Sequence, residues 1–104
     1  MIRRQVRLST EAIQDIAAIG DEISQYSPRH AAQFTDEIGV ELDLLREMPE
    51  RFAKVRRHEN LRRKVFGKYL IFYRVSETAV DIVHVLHGAM DYERILFPDN
   101  GGEN

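Results

Sequence analysis

The sequence predicts an α+β domain in the order β-α-α-β-β-β, with a helix hairpin packed on one face of a mainly antiparallel sheet. Three observations carry this prediction. Apolar residues recur at helical spacing through the first half of the 104-residue chain. They recur at strand spacing through the second half. Ser-Pro and Gly-Lys pairs stand where elements have to end.

Gln5 to Leu8 reads as a short opening strand. Ser9 is a helix N-cap, and Glu11 lies in the first turn, where the helix dipole favours negative charge. Ala12, Ile16, Ile19, Ile23 and Tyr26 then form one stripe. Ser27 caps a second helix and Pro28 suits its first position. The second stripe is Ala31, Phe34, Ile38, Leu42, Leu45 and Met48, and Pro49 stops it. Helices this close in sequence pair antiparallel and turn both stripes to one sheet.

Residues 49–60 read as a charged connection anchored by Phe52 and Val55. Leu61 to Phe66 and Tyr69 to Val75 are strand-like, and Gly67-Lys68 makes a two-residue hairpin turn. Ser76 to Thr78 turns the chain again. Ala79 to His87 is the last strand, with Val80, Ile82 and Leu86 on one face and Val83 and Val85 on the other. Asp91 to Phe97 is a short terminal segment. Residues 1–97 are expected to form a single domain and 98–104 a flexible tail. Phe34, Ile38, Phe72 and Ile82 are expected to meet between the helix hairpin and the sheet.

With 43% apolar and 31% charged residues, the composition is that of a soluble domain. There is no cysteine, which excludes disulfides, thiolate nucleophiles and Cys-ligated zinc and fits the cytoplasm. The longest apolar run, Tyr69 to Tyr73, falls far short of the ~20 residues of a membrane helix. Arg3, Arg4 and Arg7 are not followed by the apolar stretch of a signal peptide.

The net charge of −2 is unevenly spread: residues 49–68 hold eight basic and two acidic side chains, +6, which leaves −8 elsewhere. A basic block on an acidic molecule suggests a local site for an acidic partner. A solvated loop and hairpin would look the same. Direct nucleic-acid binding usually comes with a domain that is basic overall.

Catalytic motifs are missing. There is no P-loop, GxGxxG or HExxH pattern. His84 and His87 are three apart on a strand and so point to opposite faces, which denies them a shared metal. The serines read as caps and turn residues, and Asp81 as an outward polar position. No metal site and no cofactor is predicted. One constellation remains: Arg62, Arg63, Arg74 and His87, on or beside three consecutive strands, are expected to share one basic surface. Such a surface could stabilise a phosphate or bind the carboxylates of a protein partner.

Several segments are also recognisable in order. They are Leu8-Ser9 with Glu11-Ala12, Ser27-Pro28 with Ala31 and Phe34, Met48-Pro49, and Leu61-Arg62. More specific are Tyr69-Leu70-Ile71-Phe72-Tyr73-Arg74-Val75 and Val85-Leu86-His87-Gly88-Ala89-Met90-Asp91. In this order and spacing the chain resembles the ParE/RelE superfamily of toxins of type II toxin–antitoxin systems along nearly its whole length.

The resemblance implies the RelE/ParE-like fold and one of two activities. RelE-like members are ribosome-dependent mRNA endonucleases; ParE-like members poison DNA gyrase. The RelE-like pattern places an arginine after the first tyrosine of the long strand, an arginine two residues after the glycine that ends the last strand, and a tyrosine six further on. This chain has Leu70, Met90 and Leu96 there. Leucine and methionine cannot donate a hydrogen bond to a phosphorane or move a proton. The tail His87-Gly88-Ala89-Met90-Asp91 is similar to the ParE branch, where an arginine often stands at the position of Met90.

The expectation is therefore a ParE-like gyrase inhibitor with no catalytic residues, neutralised by a cognate ParD-like antitoxin and reaching DNA only through it. Arg56, Arg57, Arg62, Arg63 and Arg74 are the expected antitoxin contacts. His87, Met90, Asp91 and Tyr92 are the expected target contacts. The alternative is an RelE-like endonuclease using Arg62, Arg74, His87 and Tyr92. A third reading is a degenerate toxin that serves only within its antitoxin complex.

Overall fold

In a computed structural model, which describes residues 4–98, Ser9 joins two elements with one hydroxyl. It accepts the Ala12 N–H at 2.9 Å, capping the first helix, and donates to the Val83 carbonyl at 2.7 Å, tying that helix to the sheet. The elements are β1 (Gln5–Leu8), α1 (Thr10–Ser24), α2 (Pro28–Leu44), β2 (Lys54–Val55), β3 (His58–Phe66), β4 (Tyr69–Val75), β5 (Ala79–His87) and α3 (Tyr92–Leu96). Ser27 caps α2 by accepting from the His30 N–H at 3.2 Å, with Pro28 at the first helical position.

The strands form one five-stranded sheet in the order β1-β5-β4-β3-β2. β1 runs parallel to β5, and all other pairs are antiparallel. Gly67 turns β3 into β4 with φ +59°, the left-handed region that suits glycine at the first position of a two-residue hairpin. The Gly88 N–H then donates to the Lys68 carbonyl at 2.9 Å, so the end of β5 is fastened to that turn.

The pleat of β4 sorts the core into two clusters. Tyr69, Ile71 and Tyr73 face the helix hairpin, where they pack with Phe34, Ile38, Leu42, Leu45, Val80, Ile82 and Val85. Leu70 and Phe72 face the other way, where they pack with Val55, Leu61 and Leu86. Phe34, Ile38 and Ile82 lie between helices and sheet as expected, whereas Phe72, although fully buried, is on the second face.

Four further expectations need correcting. The register slips between Phe72 and Tyr73, which lie opposite His84 and Ile82 and leave Val83 as the extra residue of a bulge. The bulge shifts the alternation of β5, so Val85 joins Val80 and Ile82, and Leu86 joins the second face. α2 ends at Leu44, four residues earlier than its apolar spacing suggested, and Met48 is exposed, as is Tyr26 beyond α1. Residues 49–60 are more than a connection: a single 3-10 turn over Pro49–Arg51 leads into β2, and β3 starts at His58. The terminal segment is helical over Tyr92–Leu96. The tail expected over 98–104 lies, beyond Pro98, outside the described residues. Among those, no helix is long and apolar enough to cross a membrane.

Candidate functional site

The five arginines of the basic region occupy three different settings. Arg62 and Arg63 are neighbours on β3, so their side chains leave opposite faces of the sheet. Arg62 lies opposite Tyr73 on the helix side. Its guanidinium donates to the carbonyls of Phe52 at 2.7 Å and Glu50 at 3.0 Å, holding the 3-10 turn against the sheet. Lys64, on the same side, pairs with Glu41 of α2 and lies over the Phe52 ring. Beneath them the Tyr73 hydroxyl donates to the Pro49 carbonyl. Burial pushes the Tyr73 phenol up to about 12, and the Arg62 charge offsets part of that rise.

Arg63 and Arg74 belong to the second face. Arg63 donates to the Tyr92 hydroxyl at 2.9 Å, and the Tyr92 ring packs on Phe72 with centroids 5.2 Å apart. Arg74 stands across from Asp81, which already receives a two-pronged contact from Arg7 at 2.6 and 3.0 Å. The Arg7 hydrogen bonds hold the Asp81 carboxyl below its usual range; burial opposes them, and the Arg7 and Arg74 charges add to them. Arg56 and Arg57 form the turn between β2 and β3, both exposed, with Arg57 at φ +70°.

The expected target contacts are spread as well. His87 lies opposite Tyr69 with its ring edge-on at 5.7 Å, and its Nδ1 accepts the Ala89 N–H at 3.0 Å. Met90 and Asp91 are exposed in the loop before α3, and Tyr92 is half-buried at its start. Arg62 and His87 thus sit on the helix side of the sheet, while Arg63, Arg74 and Tyr92 sit on the other. The single basic surface expected of Arg62, Arg63, Arg74 and His87 does not form.

Two of the three positions that distinguish a nuclease are built into apolar packing. Leu70 is buried in the second-face cluster, and Leu96 packs against it with Tyr92, Val83 and Phe97. Met90 is exposed. Among the described residues no group of three His, Asp or Glu side chains gathers as metal ligands would.

Two contacts had no sequence forecast. Asp15 of α1 accepts the Val85 N–H at 2.9 Å and meets His84 Nδ1 at 2.6 Å, covering the edge of β5 beyond the end of β1. The His58 ring stacks on Phe97 with centroids 3.4 Å apart, joining the β2–β3 hairpin to the segment after α3. A lone acid on the inner half of an amphipathic helix was the available signal for Asp15. For His58 there was none, because its partner is 39 residues away in the sequence.

The geometry can be set beside known proteins. The chain is similar in fold to a structure of the chromosomal ParDE toxin–antitoxin system from P. aeruginosa, with a TM-score of 0.71 and 16% identity, covering 82% of this chain and 96% of that one. It is also similar to the toxin–antitoxin complex RelBE2 from Mycobacterium tuberculosis, with a TM-score of 0.57 and 26% identity, covering 83% of this chain and 99% of that one. Among curated proteins, no relative matches. The family model for the ParE toxin of the type II toxin–antitoxin system parDE matches residues 6–92. The chain belongs to the ParE family of type II toxin–antitoxin toxins.

Proposed function

We propose that this toxin acts by binding rather than by catalysis: it inhibits DNA gyrase in the cytoplasm and is neutralised by a cognate ParD-like antitoxin. The observation that supports this most is the fate of Leu70 and Leu96. Where the endonuclease pattern places an arginine and a tyrosine, this chain has side chains that pack in the second-face cluster. An apolar cluster cannot stabilise a phosphorane or transfer a proton. His87, Met90, Asp91 and Tyr92, at and beyond the end of β5, are the proposed target contacts. Arg56, Arg57, Arg62, Arg63 and Arg74 remain the proposed antitoxin contacts, with unequal weight.

The second reading is an RelE-like ribonuclease. The likeness to a RelBE2 complex and the hydrogen bond between Arg63 and the Tyr92 hydroxyl favour it. The same geometry weakens it, since His87 and Tyr92 serve opposite sides of the sheet. The direct test is a gyrase supercoiling assay with the purified chain. Inhibition that rises with toxin concentration is the expected result, and full supercoiling at a large molar excess of toxin would overturn the gyrase reading.

A further inference from the structure

The proposed antitoxin contacts differ in what already holds them. Arg62 is held by two carbonyls, Arg63 by the Tyr92 hydroxyl, and Arg74 faces an aspartate that is forked by Arg7. A partner reaching for Arg62 or Arg63 has to displace a hydrogen bond; Arg74, although its side chain makes no hydrogen bond or ion pair among the described residues, stands beside the Asp81 carboxylate, which would repel an acidic partner. Arg56, Arg57 and Lys54 form a group of unengaged cations at one hairpin. All three are exposed, within four positions of one another, and none of their side chains makes a hydrogen bond or ion pair among the described residues.

The tip that carries them is fixed at its base. Val55 is buried in the second-face cluster and pairs with His58, whose ring stacks on Phe97. Ala53 accepts the Arg63 N–H at 3.0 Å. The cations therefore project from a held hairpin, so less order has to be imposed when a partner binds. Arg57 adds an anomaly. Its φ of +70° lies in the left-handed region, where glycine or asparagine is the ordinary occupant. A long charged residue kept in an unfavourable backbone position points to use of its side chain.

We infer that the tip of the β2–β3 hairpin, Lys54 with Arg56 and Arg57, is a carboxylate-recognition site for an acidic peptide segment of the antitoxin. The inference rests on the reading of this chain as a toxin held by a partner protein. Arginine forks match carboxylates in shape and charge, and an unengaged fork gains most from them. The rest of the molecule argues for a peptide over a nucleic acid. Residues 10–44 carry eight acidic side chains and one arginine, a net −7. A nucleic acid long enough to run past the tip would meet that charge with little screening at distances below ~8 Å. A short run of glutamates or aspartates touches the tip alone.

The test is a titration of the full-length 15N-labelled chain, followed by NMR at low salt, with a decaglutamate peptide as probe and a 20-base-pair DNA duplex beside it. The peptide is expected to shift the amides of residues 54–58 first and furthest. The double variant Arg56→Glu/Arg57→Glu should weaken peptide binding at least tenfold while melting within a few degrees of the parent, and Arg74→Gln should weaken it less than threefold. Peptide shifts centred on Arg74 or scattered over the sheet would overturn the inference, as would an unchanged affinity in the double variant or no binding at all. Tighter binding of the duplex to the same amides would replace it with a nucleic-acid site. Failure to inhibit gyrase bears on the target alone, so the two readings fail separately.

Discussion

One face of the sheet lies under two helices of 15 and 17 residues; the other lies under a helix of five. The long helices bury Ala12, Phe34, Ile38 and Leu42, and both have side-chain caps. The short helix buries no residue and has no side-chain cap. Yet both faces bury large side chains of β4 completely: Ile71 and Tyr73 on one side and Phe72 on the other. The first face is built the way a stable core is built. The second is closed by a strap pinned at two points, Tyr92 against Arg63 and Phe72, and Phe97 against His58. A helix so short is not stable alone and holds only through those contacts.

The largest expected effect is on the helix-covered face. Phe34 packs on Phe66 and Tyr69 and is almost wholly buried. Phe34→Ala should cost about 3–5 kcal/mol, lowering the melting temperature by more than ~10 °C. A variant that melts within a degree or two of the parent would mean that this face is not the main core.

Next comes alkaline sensitivity on the same face. A phenol raised to about 12 from an ordinary 10 favours the folded state only while protonated. The associated stability is complete below pH 10 and is lost as the pH rises from 10 toward 12. Two units correspond to about 2–3 kcal/mol. Denaturant midpoints followed from pH 8 to 12 should show this loss, and Tyr73→Phe should flatten it after an initial cost for leaving the Pro49 carbonyl unpaired. A parent curve as flat as that of the variant would contradict the burial of this hydroxyl.

The strap should respond least. Phe97 is half-buried, so Phe97→Ala should cost about 1–2 kcal/mol, well below the Phe34 variant. An equal or greater loss would show that the second face is as integral as the first and erase the contrast.

The same contrast marks what was legible in the sequence. The helices, their serine caps, Pro28 and the Gly67 turn were readable because each depends on residues within a few positions. β2 was not, because two residues carry no period. The bulge of β5 was not, because it inserts one residue into an alternation that looks regular, and so Val85 and Leu86 changed faces. The fate of the arginines was half-legible. That Arg62 and Arg63 diverge follows from strand alternation alone, and the expectation of one surface overlooked it. That Arg63 meets Tyr92 depends on a terminal helix whose packing is entirely non-local. The pairing of Arg7 with Asp81 likewise waits on the parallel contact of the first strand with the last.

With Leu70 and Leu96 in its apolar cluster and Arg62 and His87 turned to the other side, the second face is proposed to bind a target and not to cleave RNA. Primer-extension mapping of an mRNA held on translating ribosomes, with and without the purified toxin, tests this proposal most directly. Identical patterns in both lanes are expected. Position-specific cuts that disappear with His87→Ala or Tyr92→Phe would contradict the proposal and establish the ribonuclease reading.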